Sequence, residues 1–263
     1  MIVRGVALER WGSGEPLMLI HGTGGSRFHW EPVMQLLAEN REVLVIDLPG
    51  HGESPPPPDD VPHTPAGYAR VISGMLDELS IPRPHVSGNS VGGWTALELA
   101  KLDRARSVVA IAPAGLWAKR NPRRASAQLS LEYRLGRALA PLTERLLRRA
   151  GTRSLVMGGQ VAKPKAMPGD AAVQLARIYS STPTFKEHLS QTSRTRFEGG
   201  QGIQVPVTVA WGDKERLIPR KARRREQLPP TARFVTLEGC GHLAMWDDPE
   251  GVANLILEGA QVS

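Results

Sequence analysis

His85-Val86-Ser87-Gly88-Asn89-Ser90-Val91-Gly92-Gly93-Trp94 begins as a short β-like run, breaks into Gly-x-Ser-x-Gly, and continues as the helical pattern Thr95-Ala96-Leu97-Glu98-Leu99-Ala100. A strand that turns at once into a helix leaves no room for side chains beside the turn. Glycine at positions 88 and 92 removes the Cβ atoms that would collide, so Ser90 is expected in a strained conformation with its hydroxyl held above the sheet. The five-residue pattern alone is common in a chain with 27 glycines. The strand before it and the amphipathic helix after it make it specific, and they mark Ser90 as a candidate nucleophile.

Outward from this turn the chain alternates strands and helices. Pro16 to Ile20 is a continuous apolar run of the buried-strand kind, ending abruptly at His21-Gly22-Thr23-Gly24-Gly25-Ser26. Ahead of it, Ile2 to Arg10 alternates loosely and Trp11-Gly12-Ser13-Gly14 reads as a hairpin turn. A helix is expected from about His29 to Glu39, with Trp30, Val33, Met34 and Leu37 at helical spacing. Val43 to Ile46 is another buried strand, closed by Asp47-Leu48-Pro49-Gly50-His51-Gly52. Consecutive prolines from Pro55 to Pro58 force a loop, and Thr64-Pro65 then opens a helix with an N-cap and a proline at its first position. Val108 to Ile111 follows the Ser90 helix as a further strand. This alternation implies a mostly parallel sheet covered on both faces.

From Trp117 to about Gly200 the strand rhythm stops. Leu131, Leu135, Leu139, Leu142, Leu146 and Leu147 mark helical turns broken at Pro141; Val173 to Tyr179 marks another helix, and Phe185 with Leu189 a third. Val205 to Trp211 resumes the sheet. A short basic helix is expected near Arg220 to Gln227, a last strand at Arg233 to Leu237 and a last helix at Pro249 to Leu257.

The size, 263 residues, suits one large α/β domain with an insertion. The single Cys240 forms no internal disulfide and suits a reducing cytoplasm. The first ten residues lack the apolar core of a signal peptide, and no apolar run approaches the roughly 20 residues of a membrane span. The net charge of +7 is uneven: residues 117–200 hold 16 Lys and Arg against five Asp and Glu, a net of +11, so the remainder is acidic. Such a segment attracts an acidic substrate, an anionic lipid surface or an acidic partner, or is simply a set of solvated helix faces. Arg123, Arg124, Arg148 and Arg149 are not interleaved with aromatics, which argues against nucleic-acid binding, and Arg223-Arg224-Arg225 reads as a surface helix.

A serine hydroxyl is a weak nucleophile at neutral pH, so it needs a base within hydrogen-bond reach and a third group to orient that base. His242 follows the last expected strand in Gly239-Cys240-Gly241-His242, where two glycines let the loop bend back towards Ser90. His21 and His51 read as packing and hydrogen-bonding groups, and His29, His63, His85 and His188 carry no motif.

Taken in order, His21-Gly22-Thr23, Asp47 to Gly52, Gly88 to Gly93, Trp211-Gly212-Asp213-Lys214-Glu215-Arg216-Leu217-Ile218-Pro219 and Gly239 to His242 resemble the α/β-hydrolase fold family over essentially the whole chain. The resemblance implies a mostly parallel eight-stranded sheet flanked by helices, with residues 1–116 and 201–263 as the core domain and 117–200 as a helical cap. It implies Ser90, His242 and a carboxylate as a catalytic triad. Anchoring the family pattern on Gly212 and Pro219 puts the acid at Glu215, with Asp213 as the competitor. It implies an oxyanion hole from the backbone N–H groups of Val91 and Thr23, with Gly24 as the alternative to Thr23. A serine at the turn speaks against opening epoxides or removing halides, which use a carboxylate there. No cofactor or metal is expected.

These features imply acyl-enzyme hydrolysis of a small-molecule carboxylic ester or related acyl compound, without nucleic acid or integral membrane association. Asn89 before the nucleophile resembles hydrolases that cleave carbon–carbon bonds in aromatic ring-fission products. Gly24-Gly25-Ser26 and Leu243 depart from that group, which keeps it the alternative. A non-catalytic small-molecule receptor on the same fold is the reading from another class.

Overall fold

A computed structural model describes residues 1–117 and 123–261, with the side chains of 123–125 also outside the description. The expectations for Arg123 and Arg124 therefore lie outside the described residues.

Eight strands form one sheet: β1 (Ile2–Val3), β2 (Val6–Trp11), β3 (Pro16–Ile20), β4 (Glu42–Ile46), β5 (His85–Asn89), β6 (Ser107–Ile111), β7 (Val207–Gly212) and β8 (Arg233–Leu237). Their order is β1-β2-β4-β3-β5-β6-β7-β8. Pairing is antiparallel from β1 to β2 and from β2 to β4, and parallel from there to β8. The turn at Trp11–Gly14 is therefore not a hairpin. Parallel neighbours β4 and β5 occupy both edges of β3, so β2 pairs across β4 instead. The hairpin lies earlier, between β1 and β2, where Arg4 (φ 49°) and Gly5 (φ 79°) both take the left-handed conformation that tight two-residue turns require.

The apolar run at Pro16–Ile20 is continuous because both faces of β3 are covered. Met18 and Ile20 point into a layer with Tyr68, Ile72, Leu97 and Val108, whereas Leu17 and Leu19 point into the opposite layer with Val33, Leu37 and Ile256. Helix α1 (Glu31–Ala38) is preceded by a 3-10 turn at Arg27–Trp30 instead of starting at His29. Pro32 has no N–H to donate, so it sits in the first turn of α1, where none is needed. Helix α2 (Pro65–Glu78) starts as expected, with Thr64 Oγ1 accepting the Gly67 N–H. Helix α3 (Val91–Lys101) is buried from Val91 to Ala100 and so is not the amphipathic surface helix expected; its one buried carboxylate, Glu98, accepts from Trp94 Nε1 at 2.9 Å and Lys101 Nζ at 2.8 Å.

Between β6 and β7 the described residues form helices α4 (Arg123–Ala138), α5 (Ala140–Arg148), α6 (Ala150–Met157), α7 (Gly169–Ser181) and α8 (Phe185–Thr192). Pro141 sits in the first turn of α5, where it ends one helix and begins the next. One arginine here is structural. Arg153 is buried and donates to the carbonyls of Leu147, Arg148, Pro164, Lys165 and Met167, gathering the free end of α5 and the loop before α7.

After β7 the expected basic helix at 220–227 is a single 3-10 turn, Arg220–Ala222. Arg223 leaves helical geometry, donates from Nε and Nη2 to the Ile218 carbonyl at 3.0 and 2.9 Å, and stacks 4.5 Å from the centre of the Trp211 ring. Arg223 to Arg225 is thus a loop. Helices α9 (Ala244–Asp247) and α10 (Pro249–Gly259) complete the chain. No helix among the described residues is long and apolar enough to cross a membrane.

Candidate active site

Ser90 lies between β5 and α3 with φ 57° and ψ −117°, a strained combination for a side-chain-bearing residue. The surroundings fix it: its N–H donates to Ile111 O at 2.9 Å, and its carbonyl accepts from Trp94 and Ala114 at 3.1 and 3.0 Å. A Cβ at Gly88 would lie 2.2 Å from the Gly92 carbonyl oxygen, and one at Gly92 would lie 2.1 Å from that of Ile20. The backbone passes itself at distances only glycine permits.

His242 sits on the loop between β8 and α9, where its Nδ1 lies 2.7 Å from Glu215 Oε2. The other carboxylate oxygen accepts the N–H groups of Leu217 at 2.7 Å and Ile218 at 3.1 Å. Burial pushes the Glu215 carboxyl up, but the adjacent His242 and the two backbone donors outweigh it and hold it below the usual carboxylate range. Asp213 faces elsewhere. It accepts from Gly239 N at 2.7 Å and pairs with Lys214 at 2.7 Å.

Two further side chains hold the His242 loop. Asn89 Nδ2 donates to the His242 carbonyl at 2.9 Å, joining the residue before Ser90 directly to the histidine. Asp247, buried on α9, accepts from Gly241 N at 2.8 Å, Ala162 N at 2.9 Å and Lys163 N at 2.7 Å. A single carboxylate thus ties the histidine loop to the stretch between α6 and α7. Leu243 N adds a bond of 2.8 Å to Gln160 O.

Thr23 lines the same cavity as Ser90. Its hydroxyl and His188 Nε2 are 3.0 Å apart, and His188 Nδ1 lies 2.9 Å from the Tyr68 hydroxyl. In neutral imidazole one nitrogen donates and the other accepts, which satisfies both contacts. Val91 begins α3 directly after Ser90, where the helix dipole favours negative charge. Gly24 is turned towards α7, where a Cβ would meet the Tyr179 ring at 2.6 Å.

His188 belongs to a group of buried imidazoles. His51 lies 5.4 Å from His21 and 5.2 Å from His188 between ring centres, and His29 lies 5.9 Å from His21. Burial is the main force holding all four neutral, bringing His51 down to about 4 and His29 to about 3. His21 and His188 move the same way, for the same first reason and through repulsion from neighbouring imidazoles, His51 foremost. Nothing in the sequence singles out His29 or His188, yet His29 lines the cavity and His188 braces the loop carrying Thr23.

The cavity, about 380 Å³, is lined by Ser90, His242, Thr23 and Asn89 at its base and by apolar side chains of α4 to α7, including Leu139, Leu146, Leu155 and Leu175. Glu132, Thr143 and Gln160 are polar exceptions, and no lysine or arginine is among its described lining residues.

A family model described as the alpha/beta hydrolase family matches residues 17–255. The chain belongs to that family. Among curated relatives, the dihydrolipoyllysine-residue acetyltransferase component of the acetoin cleaving system of Cupriavidus necator is 29% identical over 251 residues, covering 91% of this chain. The chain spans only 62% of that relative's length. The 2-hydroxy-6-oxononadienedioate/2-hydroxy-6-oxononatrienedioate hydrolase of Cupriavidus pinatubonensis is 26% identical over 258 residues, covering 93% of this chain and 86% of the relative. Among solved structures, a thermophilic esterase from Thermogutta terrifontis superposes with a TM-score of 0.75 at 21% identity, covering 97% of this chain and 93% of its own. That likeness supports the fold of the chain.

Proposed function

We propose that the chain is a serine hydrolase that cleaves a carboxylic ester or related acyl bond through an acyl-enzyme. The observation that carries this reading is the shared cavity floor of Ser90 and His242, with Glu215 bonded to the far side of the imidazole. Ser90 Oγ attacks the acyl carbon while His242 takes the hydroxyl proton and Glu215 holds the imidazole in its tautomer. The N–H groups of Val91 and Thr23 receive the developing oxyanion, each worth about 2.7 to 4 kcal/mol. His242 then passes its proton to the departing alcohol, and water attacks the acyl-enzyme by the same route. Residues 1–116 and 201–263 are the catalytic core and 117–200 the cap that roofs the site. The lone Cys240 thiol, pushed by burial up to about 12, is inert and fits a reducing cytoplasmic setting.

The apolar cavity favours an uncharged acyl group over a ring-fission acid, which would bury a carboxylate without a cationic partner. The Asn89 side-chain N–H groups are engaged by the Ile111 and His242 carbonyls, which gives the residue a role in holding the histidine loop. The test is a panel of p-nitrophenyl esters run beside a dienol-diketone acid, with mass-spectrometric mapping of fluorophosphonate labelling. Ester turnover with label on Ser90 is expected. Turnover of the diketone acid alone would establish the carbon–carbon hydrolase instead, and an unlabelled Ser90 without turnover a receptor.

A further inference from the structure

Nine large hydrophobic side chains are exposed among the described residues, and five of them are leucines between positions 131 and 155. Leu155 on α6 is 79% exposed and Leu131 on α4 is 56% exposed. They are not scattered. Leu135, Leu139 and Leu155 also line the cavity that holds Ser90, so the exposed leucines continue its apolar wall out to the surface.

Charge accompanies them in a regular pattern. Arg134 lies three residues after Leu131 on α4, and Arg145 lies three after Leu142 on α5, spacings that put each arginine on the face of its leucine. Arg134, Arg145 and Arg149 are exposed and have no carboxylate partner among the described residues. Arg148 and Arg177 of the same segment pair with Asp170 and Glu144.

We propose that the outer face of α4, α5 and α6 seats the protein peripherally on an anionic lipid surface, with the leucines entering the boundary between headgroups and chains and the arginines meeting the headgroups. An amphipathic face of leucine and arginine has the composition that such a boundary takes up, and each arginine near an anionic surface strengthens attachment. A second copy of this chain is a poorer occupant, because a two-fold contact would set one arginine-bearing face against an identical one of the same charge. The open side of the cavity then faces the bilayer, which is where an apolar acyl group would enter.

The experiment is sedimentation with extruded vesicles of phosphatidylcholine alone or mixed with phosphatidylglycerol, at low and raised salt, beside light scattering of the free protein. Binding is read without turnover, so its failure would leave the hydrolase reading untouched. Wild-type protein is expected to sediment with the anionic vesicles and to be released by salt. Arg134→Gln/Arg145→Gln should weaken partitioning roughly 30-fold, and Leu131→Ser/Leu142→Ser at least about tenfold. None of these four residues lines the cavity, so unchanged thermal melting and unchanged hydrolysis of a soluble short ester certify the fold of each variant. Protein left in the supernatant with anionic vesicles at low salt overturns the proposal. So does equal binding to pure phosphatidylcholine, or a dimer that the leucine variant dissolves.

Discussion

Glu215 divides its carboxylate between two tasks: Oε2 bonds His242 Nδ1 at 2.7 Å, while Oε1 is anchored by the N–H groups of Leu217 and Ile218. The imidazole is therefore aimed by a group that is itself fixed to the backbone. Glu215→Gln should lower kcat by about 10⁴-fold, because an amide oxygen or nitrogen presented to Nδ1 no longer selects the productive tautomer. Asp213→Asn should leave ester turnover within a fewfold of wild type, since Asp213 bonds Gly239 and Lys214 instead. Steady-state kinetics of the two variants side by side reverses the assignment if only Asp213→Asn is crippled.

Ser90→Ala should fold normally and lose turnover by a factor on the order of 10⁶, with the oxyanion donors supplying the residue of rate. The backbone there is held by Ile111, Trp94 and Ala114, none of which bonds the hydroxyl. Circular dichroism and kcat measured on one preparation separate a catalytic loss from a structural one.

Gly88→Ala and Gly92→Ala each place a methyl group within about 2.2 Å of a backbone carbonyl oxygen, a contact that no side-chain rotation relieves. Both should destabilise the fold by about 3 kcal/mol or more, the upper end of overpacking costs. Urea unfolding gives the number. A change under about 1 kcal/mol would mean that the turn relaxes more readily than its geometry implies.

The buried imidazoles make stability depend on pH. Their folded values lie below 6.5, at about 4 for His51 and about 3 for His29, so the unfolded chain binds protons that the folded chain refuses. Stability is full above 6.5 and declines as pH falls towards the folded values, at about 1.4 kcal/mol per pH unit for each such histidine. Glu215, held low, loses its contribution only below the ordinary glutamate value of 4.5, so the first losses come from histidine. Urea midpoints between pH 7.5 and about 5 should fall, and His51→Gln should flatten the slope by roughly one proton's share. A flat profile would mean that water reaches these rings.

Thr23→Val keeps the backbone N–H proposed as an oxyanion donor but removes the hydroxyl that meets His188. The stranded buried nitrogen should cost about 1 to 3 kcal/mol of stability. Loss of kcat should stay below the 10²- to 10³-fold expected for losing an oxyanion donor. A loss of that full size without any change in melting would show that the hydroxyl itself acts on the substrate.

Much of this was legible in residue order because short spacings encode it. Glycines two places either side of Ser90 announce a crowded turn, and alternating apolar runs with amphipathic helices announce a parallel sheet. The interval from Gly212 to Pro219 points to position 215, whose carboxylate is the one facing His242. What escaped depends on partners far away in sequence. His188 meets Thr23 across 165 residues and Tyr68 across 120, and no local pattern marks any of the three as a bonded set. Asp247 resembles an ordinary helix-end aspartate until the fold brings Ala162 and Lys163 to it. The pairing of β2 with β4 was hidden for a related reason: a turn-like sequence shows that the chain bends, not which strand it meets.

The carboxylate of Asp247 also sets a rule for recombining this scaffold. Because it clasps both Gly241 and the backbone at 162–163, and because His188 reaches back to Thr23, a graft that exchanges everything from 117 to 200 would sever the bracing of two loops at once. Helices α4 to α6 carry most of the wall and, apart from the Arg153 bonds to the loop before α7, none of that bracing. Exchange confined to residues 126–159 that keeps Arg153 should therefore alter the proposed acyl preference while Ser90, His242 and Glu215 keep their alignment.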